Sequence, residues 1–293
     1  MSKRESNVIR FHEDPDFFRM AVNFTATVTG FGPRLIEKDY FSTLMLDHLA
    51  TIGNSLVFKG GTSLAKVHAG FYRLSEDLDF MISLPVDALR LDRSKRAKPV
   101  KDLVAGLGRM LPVFRLTDPL KGLNSSRQYN GVVAYTSLIT GQEDTIRLEV
   151  ALREPLLQPA LAGLANTILL NPTTEKPLVA PVDTHCISKD EAFSEKFRAA
   201  LTRREVAIRD FFDIDYAVRH LDLRPRDQNM IELVRQKLAV PGNDAADVSG
   251  ERLGTLRRQL EPQLKPVLRE KDFAEFDLQR AFKIVVEMAA RVA

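Results

Sequence analysis

Tryptophan is absent and cysteine occurs once, as Cys186, in a chain of 293 residues. A lone thiol can form no internal disulfide and no cysteine-built structural zinc site, so neither staple holds this fold. Charge of one sign is not in excess either. Lys and Arg number 42 against 39 Asp and Glu, a net charge of +3, too small to announce nucleic acid by itself. No apolar run approaches the ~18 residues that a membrane-spanning helix needs. The opening residues 1–18 are charged and lack an apolar core segment, which argues against a secretory signal and makes the cytoplasm the expected location. What remains is an ordinary globular composition, 44% apolar and 28% charged. A chain of this mass buries roughly three-quarters of its unfolded surface, and its length suggests about two domains.

Residues 1–30 show no clear periodicity and read as an arm with one short helix. From Pro33 the apolar residues Leu35, Ile36, Tyr40, Phe41, Leu44, Met45 and Leu49 recur at helical steps, with Gly53 beyond the end. Leu56-Val57-Phe58 reads as a buried strand running into Lys59-Gly60-Gly61-Thr62-Ser63, with a short helix expected over residues 64–69. Residues 75–82 alternate apolar and acidic, the strand period. Residues 84–111 read as helical, broken at Pro99, with a basic cluster of Arg90, Arg93, Lys95, Arg96, Lys98 and Lys101. Strands are expected over 132–140 and 145–152, joined through Gly141-Gln142-Glu143-Asp144 as a hairpin. The proline-rich residues 153–187 read as a connection with one edge strand. Helices follow over 190–201, 204–221, 227–239, 251–269 and 272–290. The fold class is therefore α+β: a mixed sheet with helices over residues 1–187, then a helical domain over 188–293.

Asp77 and Asp79 stand two apart in a strand, so both carboxylates leave one face while Leu78 and Phe80 turn to the core. Two carboxylates held this close repel unless a cation lies between them. Mg²⁺ commonly binds one or two carboxylates together with substrate phosphates. The pair thus points to a metal site serving a nucleotide; taken alone, it reads equally as a solvated strand face. Lys59 to Ser63 follow a strand and open a helix. The glycines admit close backbone approach, and the free N–H groups and hydroxyls suit phosphate. The run is neither a Walker A loop nor a dinucleotide fingerprint, and alone it is also an ordinary turn. Glu149 completes a three-carboxylate cluster if its strand lies beside that of Asp79. Lys196 has only Ala192, Phe193, Ala199 and Ala200 at helical neighbour positions, so it must snorkel or reach an anion such as a triphosphate. Glu205, Arg209 and Asp213 fall at i, i+4 and i+8, the spacing of an exposed ion-pair ladder, although Asp213 lies among Phe211, Phe212, Ile214 and Tyr216. His12, His48, His68, His185 and His220 show no ligand spacing.

Glu37-Lys38-Asp39-Tyr40, Phe58-Lys59-Gly60-Gly61-Thr62-Ser63-Leu64 and Ser75-Glu76-Asp77-Leu78-Asp79, followed by Glu195-Lys196-Phe197-Arg198-Ala199 and Arg209-Asp210-Phe211-Phe212-Asp213, resemble in order the AbiEii/AbiGii toxin family of nucleotidyltransferases. The resemblance implies a polymerase-β-like nucleotidyltransferase core with a helical C-terminal lobe. It implies that Asp77, Asp79 and Glu149 hold one or two Mg²⁺ ions, that Lys59 to Ser63 with Lys196 and Arg209 bind the NTP, and that Lys196 and Asp213 belong to the catalytic set. It also implies a toxin paired with a cognate antitoxin in a toxin–antitoxin or phage-defence system, with RNA, above all the tRNA 3′ end, as acceptor. The basic run 90–101 is then a candidate phosphate contact. Ser75, two residues before Asp77, is a candidate regulatory phosphosite, since a phosphate there would bring about two negative charges to the site. Three other readings stay open: a small-molecule nucleotidyltransferase, a phosphotransferase, and a non-catalytic binder of nucleotide or partner.

Overall fold

The computed structural model describes residues 10–293; the first part of the expected N-terminal arm lies outside the described residues. The rest of that arm is not one. Residues Pro15–Thr29 form α1, a full amphipathic helix that buries Phe18, Ala21, Val22 and Thr25. Those positions follow i, i+3, i+4 and i+7. The Asp14 side chain caps the start by accepting from the Phe17 amide at 3.1 Å, and left-handed Gly30 ends it. Threonines hide the stripe, because Thr25 turns its hydroxyl back onto the Ala21 carbonyl at 2.7 Å and so can be buried.

The helix Pro33–Ala50 (α2) forms as its periodicity requires. Glu37, Lys38 and Asp39 are buried within it, and each is met. Glu37 accepts from the Leu138 amide at 2.7 Å, Lys38 reaches Glu76 at 3.3 Å and Asp39 pairs with Lys66 at 2.6 Å. Buried charge survives only when paired in this way. Strand Val57–Lys59 (β1) leads directly into helix Gly60–Ser63 (α3), which widens into a π turn over 64–68. The helix thus starts four residues before the expected 64–69 span.

Strand Leu78–Met81 (β2) is shorter than expected, leaving Asp77 just ahead of it. Helix Arg90–Ala105 (α4) runs straight through Pro99, contrary to the expected break. Pro99 sits on the exposed side, where the carbonyl released one turn earlier is open to water, while Ala97, Val100 and Val104 anchor the other side. After the short helix Leu107–Met110 (α5) comes an unexpected strand, Arg115–Leu123 (β3). It is an exposed edge with no apolar alternation and a register shift around Pro119, where an edge tolerates proline.

Strands Gln128–Thr136 (β4) and Glu143–Ala151 (β5) form the expected hairpin, but the reversal is residues 137–142; Glu143 and Asp144 already pair with Thr136 and Tyr135. The proline-rich connection holds two strands rather than one, Leu161–Ala165 (β6) at the edge and Val182–Cys186 (β7) beside β1. Among the described residues the sheet has the order β3-β4-β5-β2-β1-β7-β6.

Helices Lys189–Thr202 (α6), Ile208–His220 (α7), Gln228–Ala239 (α8), Gly250–Gln259 (α9), Glu270–Glu275 (α10) and Leu278–Val292 (α11) complete the chain. The expected helix 251–269 stops being α-helical at Gln259 and passes into π and 3-10 turns around Pro262 and Pro266. A loop at Phe276 and Asp277 divides the expected helix 272–290. Buried side chains of α6, α7 and α11 join those of the sheet in one hydrophobic core.

Candidate active site

Backbone pairing sets the centre of the site. Lys59 of β1 stands opposite Asp79 of β2, and Asp79 stands opposite Glu149 of β5. Paired residues on neighbouring strands share a face, so these three form a row across the sheet. One position along, Phe58, Phe80 and Val150 make the corresponding buried row, with the rings of Phe58 and Phe80 at 5.3 Å. The apolar row fixes the register that brings the charged row together.

The glycine turn serves this row. Gly60 has φ +74°, and a Cβ there would lie 2.2 Å from Oδ2 of Asp79. A Cβ on Gly61 would meet Nη2 of Arg73 at 2.5 Å. The close approach permitted by the glycines is therefore taken up by an aspartate and an arginine of the chain. Thr62 donates its hydroxyl to the carbonyl of Asp77, tying the turn to the acidic segment, and Ser63 turns its hydroxyl toward the Phe58 carbonyl at 3.5 Å. Both hydroxyls are engaged within the fold.

Of the residues singled out in the sequence, Gly61, Ser75, Asp77, Asp79, Glu149, Lys196 and Arg209 line one cleft of about 320 Å³. Lys59, Gly60, Thr62, Ser63 and Asp213 are not among its lining residues. Lys59 pairs with Glu195 at 2.8 Å, an acid that burial would raise but that Lys59 and Lys237 hold well below the carboxylate range. Asp213 is fully buried. It accepts from Arg73 at 2.5 and 2.8 Å, from the Tyr72 hydroxyl at 2.7 Å, and pairs with Lys196 at 2.9 Å. Lys196 also reaches Asp210 at 2.8 Å. Its missing helical partners are thus supplied from α7, and although burial works against its charge, Asp210 and Asp213 keep it protonated.

The ladder expected from Glu205, Arg209 and Asp213 does not form. Glu205 precedes α7, Asp213 is buried, and Arg209 instead faces Glu76 at 3.5 Å and the Gln263 carbonyl at 3.3 Å. The basic run 90–101 does not line the cleft, and Arg93 within it is buried, donating to the carbonyls of Leu152 and Val86. The histidines with ring hydrogen bonds are structural in their contacts: His12 bonds Tyr40, His68 the Ile187 carbonyl and His220 the neighbouring Arg219. Arg73 was not anticipated, although an arginine between Tyr72 and Leu74 signals a buried cation in need of an acid.

Burial pushes the Asp79 carboxyl up to about 7, reinforced by Glu149 and Asp77 and opposed by Lys59. Asp77 is raised by burial too, against the pull of Lys38 and Arg147. Among the described residues no donor hydrogen-bonds or ion-pairs with either carboxylate. Glu149 accepts from Gln128 Nε2 at 2.8 Å through one oxygen. No set of three His, Cys, Asp or Glu side chains among the described residues is gathered closely enough to hold a metal by itself. The donor set nonetheless fits a hard divalent cation: two carboxylates with no partner among the described residues, both raised by burial and so favouring the arrival of a positive charge. A metal that brings its own phosphate ligands needs no complete protein cage.

A row of acids beside a glycine turn, opposed across a cleft by lysine and arginine, is suited to a metal-assisted reaction of a polyphosphate. The family model for the AbiEii nucleotidyl transferase toxin of type IV toxin–antitoxin systems matches residues 44–286, and the chain belongs to that family. It is a toxin nucleotidyltransferase with an α+β fold. Its fold is similar to that of JHP933 from Helicobacter pylori (16% identity, 89% of this chain and 93% of that one, TM-score 0.53). It is similar also to the nucleotidyltransferase toxin MenT4 of Mycobacterium tuberculosis (18% identity, 94% and 89%, TM-score 0.54). Comparison with curated proteins yields no match. Among the described residues no helix is long and apolar enough to cross a membrane.

Proposed function

We propose that this toxin transfers a nucleoside monophosphate from an NTP to a hydroxyl of RNA, the tRNA 3′ end in the first instance. The observation that carries the reading is the row Lys59, Asp79, Glu149 with Asp77 beside it, facing Lys196 and Arg209 across the cleft. Asp77 and Asp79 would hold Mg²⁺, which when bound supplies positive charge to the triphosphate. Lys196 and Arg209 would neutralise its outer phosphates. Their chain-supplied charge is preorganised, since Asp213 and Asp210 hold Lys196 before any ligand arrives. The acceptor oxygen attacks the α-phosphorus, the bond to the bridging β-oxygen breaks, and pyrophosphate leaves. Glu149, at the far end of the row, would take the hydroxyl proton.

In this reading residues 1–187 carry the chemistry and 188–293 deliver Lys196, Arg209 and their partners. The reaction belongs in the cytoplasm, held in check by a cognate antitoxin. The test incubates the protein and its Asp79→Asn variant with each α-labelled NTP, Mg²⁺ and total RNA. Label in tRNA with release of pyrophosphate, lost in the variant, supports the reading. Label only in small molecules, or nucleoside diphosphate as product, sinks it.

A further inference from the structure

Glu149 borders a second cleft of about 420 Å³, on the side away from Asp77. Its walls carry Lys59, Arg127, Arg153 and Arg198, and Glu149 is the one carboxylate residue among its lining residues. Lys59 is already matched by Glu195. The three arginines are not matched in this way. Among the described residues neither Arg127 nor Arg198 has an ion pair, and the acid nearest Arg153, Glu154, stands at 4.0 Å. Arg153 and Arg198 instead share one neutral acceptor, Oδ1 of Asn243, at 3.1 and 3.4 Å.

The Nε of each of these two guanidinium groups is shut away from the surface without an acceptor. Burial, and then the charge of Arg198, lower the affinity of Arg153 for its own proton. Like charges share one amide oxygen here, and Glu154 and Glu195 offset the charge on Arg153 only in part, which leaves room for an anion at the exposed sides of these groups. The adjoining hairpin tip adds to this. Asn124, Ser125 and Ser126 all have left-handed backbones, with φ of +50°, +55° and +62°. Such a run of non-glycine residues is strained, and it sets Asn124 and Arg127 at the cleft wall.

We propose that this cleft seats a backbone phosphate of the acceptor strand, just upstream of the hydroxyl that attacks. The inference rests on the transferase reading, and it assigns that acceptor to single-stranded nucleic acid. Arginine forks match phosphate oxygens in geometry and charge. The two clefts meet at Glu149, so a strand anchored by Arg127, Arg153 and Arg198 delivers its terminal hydroxyl to the residue placed to take the proton. The NTP lies on the other side, against Asp77, Lys196 and Arg209. A phosphate of the NTP itself has the same chemistry, and the experiment separates the two sources.

Binding of unfractionated deacylated tRNA, and separately of each NTP with Mg²⁺, is measured for the wild type, for Arg127→Glu and for Arg153→Gln/Arg198→Gln. The exposed Arg127 keeps the test valid should the double variant fold poorly. Each variant is expected to bind tRNA at least about tenfold more weakly, with a salt-dependence slope reduced by roughly 0.7 per phosphate contact removed, and to bind NTP within about twofold of wild type. A parallel loss of NTP affinity assigns the cleft to the triphosphate and overturns the proposal, as does unchanged tRNA affinity in Arg127→Glu together with an unchanged double variant. Wild type that binds no tRNA overturns it as well. Wild type that binds tRNA through these arginines but never labels it sinks the transferase reading and leaves the phosphate seat standing.

Discussion

The carboxylate of Asp79 occupies the space that a side chain on residue 60 would need, with Oδ2 2.2 Å from the position of a Cβ there. Gly60 also holds φ +74°, which costs other residues about 1–2 kcal/mol. Gly60→Ala should therefore displace Asp79, lower stability and reduce transfer by at least about 100-fold, the scale of a 1 Å misplacement of a reacting group. Denaturant unfolding and a transfer assay on the same preparation check both effects. Full activity in Gly60→Ala would show that the Gly60–Asp79 contact is dispensable.

The raised carboxyl of Asp79 makes stability depend on pH in a definite direction. Its pKa of about 7 lies above the value of an unfolded aspartate, so the folded state holds this proton more tightly. Its contribution is greatest at low pH and is lost as pH rises toward and through 7. Metal-free protein should lose thermal stability from this group between about pH 4 and 8, and Asp79→Asn should flatten that decline. Melting curves of both proteins across the range supply the check.

Asp213 and Lys196 separate structural support from chemistry. Asp213→Ala leaves Arg73 and Lys196 buried without their shared acid and should destabilise the fold by about 3–5 kcal/mol. Lys196→Gln removes only one of the cations around Asp213, since Arg73 still grips it at two points. That variant should fold, but turn over at least about tenfold more slowly, for want of one charge-assisted contact to the triphosphate. Urea unfolding distinguishes the two, and a Lys196→Gln enzyme with wild-type turnover would exclude the lysine from the reaction.

Ser75 lines the same cleft as Asp77 and Asp79. A charge there meets carboxylates already crowded. Ser75→Glu should raise the NTP concentration needed for half-maximal activity, whereas Ser75→Ala should leave it near wild type. Initial rates over a range of NTP concentrations decide the matter, and equal behaviour of the two variants would remove Ser75 as a control point.

Legibility in the sequence followed the locality of the signal. The row of acids could be read because strand alternation is a local rule: Asp77 and Asp79 two apart, Leu78 and Phe80 turned inward, and a glycine turn close by. That Glu149 falls level with Asp79 required only that two strands be neighbours. Helix α1 reads in the sequence as only one short helix in an arm because threonines that bond their own backbone look polar while being buried. Strand β3 was missed because an exposed edge has no apolar pattern to show. Pro99 misled because a single proline on a solvated face leaves a helix intact.

Composition and periodicity alone determined an α+β chain with acids and glycines at strand ends, since each residue's preference for a face is set by its nearest neighbours in sequence. The partners of buried charge were decided only by the tertiary structure: Lys196 with Asp210 and Asp213, Arg73 with Asp213, and the crowding of Arg153 and Arg198 on Asn243. A desolvated ion takes whichever counter-charge the packed core brings within about 3–4 Å, and that choice is made by elements far apart along the chain.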